Sequence, residues 1–233
     1  MPSVLYHWQS RLHTPDFLLE GNGELETTLL KELLIRTFHI GPYRKATNVW
    51  LKDVVLPKHF RLSFRYKSNA PAGNTMVIFH ALPVKLANLF EDRRPDAQYC
   101  DLASWRKMVA YTVGFHRGPY NNPSVLRKIG GQVPENYGMV PWPSDSWKQM
   151  DSVTRFNTAQ EPITPAEKNQ FHEFRLERTQ RIRFFVNDTL IHDQADTGQY
   201  PYHKENLTGG HLGFRNFGGP ADDLYAQILL EAL

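Results

Sequence analysis

The sequence predicts an all-β fold, an antiparallel β-sandwich of jelly-roll type with one long Pro- and Trp-containing loop. Three observations carry this expectation. Phe60, Leu62, Phe64 and Tyr66 alternate with Arg61, Ser63, Arg65 and Lys67, the period-2 signature of a strand with one wet face. Similar runs recur at short spacing, separated by clusters of Gly, Pro and Asn such as SNAPAGN (68–74). Helical periodicity is weak almost everywhere.

Taken in order, ELETTLLKELLIRTF (24–38) sets Leu25, Leu29, Leu33 and Leu34 at helix-like spacing, so a helix stands here as an alternative to one or two early strands. NVWLKDVVLP (48–57) and HFRLSFRYKS (59–68) read as successive strands. TMVIFHAL (75–82) is almost continuously apolar, as in a sheet covered on both sides. MVAYTVGFHR (108–117) follows, with Tyr111, Val113 and Phe115 on one face and Thr112, Gly114 and His116 on the other. Residues 171–196 divide into three strands, the last two joined by a tight Asn187-Asp188 turn. GGHLGFRNF (209–217) and a closing strand in LYAQILLEAL (224–233) complete a single domain over 1–233. Residues 130–165 hold five prolines, Trp142 and Trp147 with little alternation, which reads as a lid or binding loop.

Composition excludes several classes. A net charge of +3, with no run of five basic residues, argues against nucleic acid. No apolar run is long enough to cross a bilayer, and the N-terminus shows no secretory signal pattern, so no membrane and a cytoplasmic location are expected. The one cysteine, Cys100, allows no intramolecular disulfide. A homodimer is left open.

Metal ligation finds no His/Cys spacing of a zinc site, so no cofactor is expected; Asp222-Asp223 beside Gly218-Gly219 leaves a structural calcium ion open, with a solvated turn favoured. No phosphate-cradling glycine loop and no nucleophile elbow is present. Glu173 and Glu177 lie roughly 13 Å apart along an extended strand, too far for a glycosidase pair. Either needs a distant partner such as Asp53 or Asp101, and Arg175 between them favours a surface charge ladder.

The most informative stretch is AYTVGFHRGPYNNPSVLRK (110–128). A glycine between two polar side chains on the non-core face leaves room for close approach. His80, His211, Arg215, Arg181 and Arg183 also fall opposite the apolar positions of their strands, on a convex outside or in a concave cleft.

The succession NVWLKDVVLPKHFRLSFRY, TMVIFHAL, NLFED, Tyr99, AYTVGFHRGPYNN with its trailing LRK, VNDTLIHD and GGHLGFRNF resembles the YesU-like family of concanavalin A-like proteins, over nearly the full chain. The resemblance implies a concanavalin A-like jelly roll with a concave carbohydrate-binding face and an association with acidic plant-type polysaccharides. It matches Arg117 and the triplet Leu126, Arg127 and Lys128. QYCDLAS departs from the family's approach segment, retaining Tyr99 and Asp101.

The expected partner is therefore a uronate-containing oligosaccharide or polysaccharide. Without a carboxylate pair, β-elimination is favoured over hydrolysis, and a non-catalytic binding module stands as the alternative. Elimination needs a base, a proton donor and groups that stabilise an enolate. His116 or His80 is the candidate base, and Tyr120 the candidate acid. Arg117, Asn121, Arg127, Lys128 and Arg215 are candidates to hold the carboxylate, with Trp142 and Trp147 to stack on sugar rings.

Overall fold

A computed structural model describes residues 2–8, 16–21, 23–38, 46–69, 73–83, 88–90, 108–117, 124–129, 153–159, 170–196, 206–217 and 221–233. Strands account for about three quarters of them. They are β1 (Ser3–Trp8), β2 (Phe17–Gly21), β3 (Gly23–Thr27), β4 (Leu33–Thr37), β5 (Ala46–Leu51), β6 (Phe60–Ser68), β7 (Gly73–Pro83) and β8 (Met108–Arg117). The series continues with β9 (Ser124–Ile129), β10 (Val153–Ala159), β11 (His172–Arg178), β12 (Arg181–Val186), β13 (Thr189–Ala195), β14 (His211–Phe217) and β15 (Ala221–Ala232). Among the described residues no helix is long and apolar enough to cross a membrane.

All pairings are antiparallel, and they form two sheets. An eight-stranded sheet runs β13-β12-β11-β6-β15-β4-β3, with β1 added on β15; a seven-stranded sheet runs β10-β9-β8-β7-β14-β5-β2. The alternation of β6 places Phe60, Leu62, Phe64 and Tyr66 inward, and β8 contributes Tyr111, Val113 and Phe115 from the facing sheet. Their rings interlock: Phe115 lies 4.6 Å from Phe174, and Phe64 lies 5.5 Å from Phe214. The all-β antiparallel sandwich expected from the sequence is the observed architecture.

Local chemistry explains the strand boundaries. Asn187 and Asp188 both adopt positive φ, 47° and 61°, which gives the two-residue turn whose twist matches the hairpin it closes. The 24–38 segment is a hairpin rather than a helix. Leu25, Leu33 and Ile35 pack toward the core, whereas Leu29 and Leu30 sit exposed in the turn. The helix-like leucine spacing arises because two turn leucines fall between two strands. β5 ends at Leu51, short of the strand read through residue 57.

Candidate functional site

Every described position of β7 from Thr75 to Ala81 is buried, so the centre of the seven-stranded sheet is covered on both faces. On its outer face, Trp50, Ile78, Ala81, Met108, Ala110 and Ile129 form a second apolar cluster beneath Leu89. Phe90 closes it, 6.2 Å from Trp50 and 4.6 Å from His211. Gly213 makes this possible, because a Cβ there would meet the Trp50 ring at 2.7 Å. The indole therefore lies flat across the neighbouring strand.

Beside this cluster the same face turns polar. Strand register lines up Val125, Gly114, Met76, Arg215, Asn48 and Glu20 in one row across β9, β8, β7, β14, β5 and β2. Glu20 Oε2 accepts from Asn48 Nδ2 at 2.8 Å and from Trp50 Nε1 at 3.0 Å. Arg215 Nη1 donates to Asn48 Oδ1 at 3.0 Å. All four residues are at most 3% exposed. In the next row Thr112 stands between Arg127 and Ile78, and its buried Oγ1 has no hydrogen-bond partner. Gly114 differs from Gly213: the nearest atom to a Cβ there is 3.6 Å away, so a methyl group fits.

Arg215 and His211 thus take the outer side expected from the alternation. Arg127 holds a place on that face, half-buried, beside Thr112. His116 and Arg117 pair in register with Asn74 and Gly73 at the end of β8, one row beyond Gly114; their side chains lie outside the described part. Tyr120, Asn121, Trp142 and Trp147 lie outside the described residues.

Two candidates are placed elsewhere. His80 is not on an open face. A register shift between Phe79 and Leu82, with His80 at φ 50°, turns its ring inward. There it sits 5.3 Å from the Phe60 ring, fully buried, with Nδ1 2.7 Å from Gly209 O. Burial, with a further contribution from the charge of Arg178, lowers its pKa to about 4. Lys128 is also internal. Its Nζ meets Asp196 Oδ2 at 3.0 Å, with both side chains at most 2% exposed. Tyr111 faces the core as expected, donating its hydroxyl to Asp196 and accepting from Leu207 N at 3.0 Å. Burial and the neighbouring carboxylate raise the pKa of that phenol.

The remaining charged groups belong to the other sheet. Arg181 and Arg183 pair with Asp193 on its outer face, and Glu177 bonds Arg61 at 3.1 Å and lies 3.4 Å from Arg175. Glu177 therefore stands in the charge ladder that the sequence favoured. Asp222 and Asp223 do not suit one shared cation. Adjacent on β15, they point to opposite faces, Asp222 to Arg36 at 3.1 Å and Asp223 to the buried Tyr66 hydroxyl at 2.6 Å. Among the described residues no group of three His, Cys, Asp or Glu side chains is placed to hold a metal.

Sequence reasoning missed Glu20 and Asn48. The signal was present as a polar residue at the outer phase of a strand, Asn48 beside Val49, but no motif marks its partner across the strand pair.

No protein-family model matches the chain, and no curated protein matches it. Solved structures do. A protein of unknown function with a galectin-like fold from Bacillus subtilis aligns over 100% of this chain and 99% of its own, with a TM-score of 0.72 and 17% identity. The VIP36 exoplasmic/lumenal domain, in a Ca2+/Man3GlcNAc-bound form, covers 94% and 84%, with a TM-score of 0.56 and 10% identity. LamAcat from Zobellia galactanivorans covers 99% and 98%, with a TM-score of 0.53 and 12% identity. The fold is galectin-like and concanavalin A-like.

Proposed function

We propose that this is a carbohydrate-associated protein of YesU-like type. It takes an acidic, uronate-containing plant-type oligosaccharide on the outer face of the seven-stranded sheet, around the end of β8. The observation that carries this reading is the buried row Arg215, Asn48 and Glu20, on the side away from the shared core. Burying charge costs several kcal/mol per ion, roughly, before pairing offsets it. An outer sheet face needed only for solubility leaves such groups in water. Fold-level likeness to the VIP36 domain in its Man3GlcNAc-bound form and to the Emp46p carbohydrate recognition domain supports the ligand class by analogy alone.

The finer reading is β-elimination. Among the described residues this face carries one carboxylate, Glu20, already committed to Asn48 and Trp50, whereas hydrolysis needs two facing a cleft. In elimination His116 takes the proton alpha to the uronate carboxylate. The C–O bond beta to that carboxylate breaks as a C=C bond forms, and Tyr120 gives its proton to the departing oxygen. Arg117, Asn121 and Arg127 hold the carboxylate as charge develops on it, and Trp142 and Trp147 stack on flanking sugars.

A panel of acidic oligosaccharides tests both levels. Saturable binding, with an unsaturated product absorbing near the ultraviolet edge, is expected, and His116→Ala should abolish product while leaving binding. Binding with no product by mass spectrometry overturns the elimination and leaves the binding module. Absence of saturable binding across the panel overturns the whole reading.

A further inference from the structure

The outer side of the eight-stranded sheet carries a separate depression of about 290 Å³. It forms where β15 changes partner, pairing with β4 over Ala221–Tyr225 and with β1 over Ile228–Ala232. Between those stretches β15 bulges against β6, the register jumping from Ala226–Arg65 to Leu229–Ser63. Gln227 occupies the bulge at φ 53°, a conformation that costs a non-glycine residue of order 1 kcal/mol or more. The short side chain of Ser63 leaves the surface low, and Arg65, Arg175, Phe185, Gln227 and Leu229 stand around it.

The arginines of this face divide sharply. Arg36, Arg61, Arg175, Arg181 and Arg183 each pair with a carboxylate. Among the described residues Arg65 pairs with none. Its guanidinium lies 4.9 Å over the Phe171 ring, which also carries Lys67 Nζ at 5.1 Å. Its Nε is buried with no hydrogen-bond partner. Glu173, opposite Arg65 on β11, is exposed. With Arg175 held by Asp188, Arg65 is the arginine of the lining left without a carboxylate partner among the described residues, next to a hydroxyl and a primary amide.

We propose that this depression binds a single carboxylate group, held by Arg65 with Ser63 and Gln227 as hydrogen-bonding neighbours. A planar monoanion matches the guanidinium fork of the unpaired Arg65. A dianion such as phosphate would face Glu173 and Asp188, which line the same depression. The carboxylate is supplied either by a free small acid or by a uronate unit of a saccharide. The proposal does not rest on the reading of the other sheet.

The test is an NMR titration of the isotope-labelled protein with sodium acetate, galacturonate and neutral galactose at constant ionic strength. Saturable shifts are expected at the amides of residues 63–65 and 226–229 with galacturonate and none with galactose. Saturation by acetate as well assigns a free carboxylate; saturation by galacturonate alone assigns a saccharide. Arg65→Gln should weaken the binding about tenfold or more, the loss expected for a hydrogen bond to a charged group. Arg183→Gln, which removes a paired arginine from the same face, should leave the affinity within about twofold. No saturable shift at these amides with either acid overturns the proposal, as does equal loss in both variants. Shifts confined to the ends of β8 and β14 also overturn it, while supporting the other face.

Discussion

Across the outer face of the eight-stranded sheet, Glu231, Arg61, Glu177, Arg183 and Asp193 alternate in sign through five neighbouring strands. Each member reaches water. Across the outer face of the seven-stranded sheet, Glu20, Asn48 and Arg215 are bonded to one another and shut away from it, beside an apolar cluster around Trp50. Both faces use charge, but the solvent decides what the charge is worth. At an effective dielectric near that of water an ion pair returns about 1 kcal/mol or less, whereas a buried group left unpaired costs several. Substitutions should therefore rank by face and not by chemistry.

The largest effect is expected at Trp50. Trp50→Ala removes a fully buried ring from the outer cluster and the Nε1 donor from Glu20, and should cost about 4 kcal/mol. For a chain of this size that lowers Tm by roughly 8–16 °C. Calorimetry checks it; a shift of only a degree or two would mean that this face is a surface and that its contrast with the ladder is false.

Acid probes the same contrast from inside. His80 and His192 have pKa values lowered to about 4 by burial, the latter 2.9 Å from Ser124 Oγ across the sandwich. A folded pKa below the unfolded value of about 6.5 means that the unfolded chain binds the extra proton first. Stability is thus present above pH 6.5 and falls progressively toward pH 4, by about 3 kcal/mol for each histidine. Denaturant melts through that window should show the slope, and His192→Phe should halve it. The ladder behaves otherwise: Arg181 lowers the Asp193 carboxyl, but that group is solvent-facing and its titration should add little.

How much of this was legible follows from where phase is kept. Strict alternation in β6 and β8 assigned their core faces residue by residue, and the Asn187-Asp188 pair announced its hairpin. His80 was misplaced because a bulge changes the phase of β7, and a histidine at positive φ carries no composition signal. Lys128 shares the inward face of Leu126, which alternation does give. The reason it can be there, Asp196, lies 68 residues away and is brought in by the facing sheet. On the candidate face, Arg215 was readable from strand phase, and Arg127 was marked by the resemblance through its LRK triplet. Glu20 and Asn48 were not, since their significance is a cross-strand bond rather than a motif.

The two glycines of the buried face separate packing from access. Gly213→Ala drives a methyl group to 2.7 Å from the Trp50 ring and should destabilise by about 2 kcal/mol. Gly114→Ala finds only ordinary contacts, the nearest at 3.6 Å, and should change stability by less than about 1 kcal/mol. Because Gly114 lies in the row with Arg215, the second variant should still weaken saccharide binding. Equal stability losses at both positions would erase the distinction between a tightly packed position and a roomier one on this face.

The smallest effect belongs to the ladder. Arg183 lies 3.5 Å from Asp193, with its side chain 44% exposed, and Asp193 keeps the closer Arg181 when Arg183 is removed. Arg183→Ala should therefore change stability by no more than about 0.5 kcal/mol, and the difference should vanish as added salt shortens the screening length. Paired denaturant titrations at low and high ionic strength measure it. A loss above about 2 kcal/mol that survives high salt would show that the alternating row acts as one cooperative network. The two outer faces would then differ in exposure but not in the weight their charges carry.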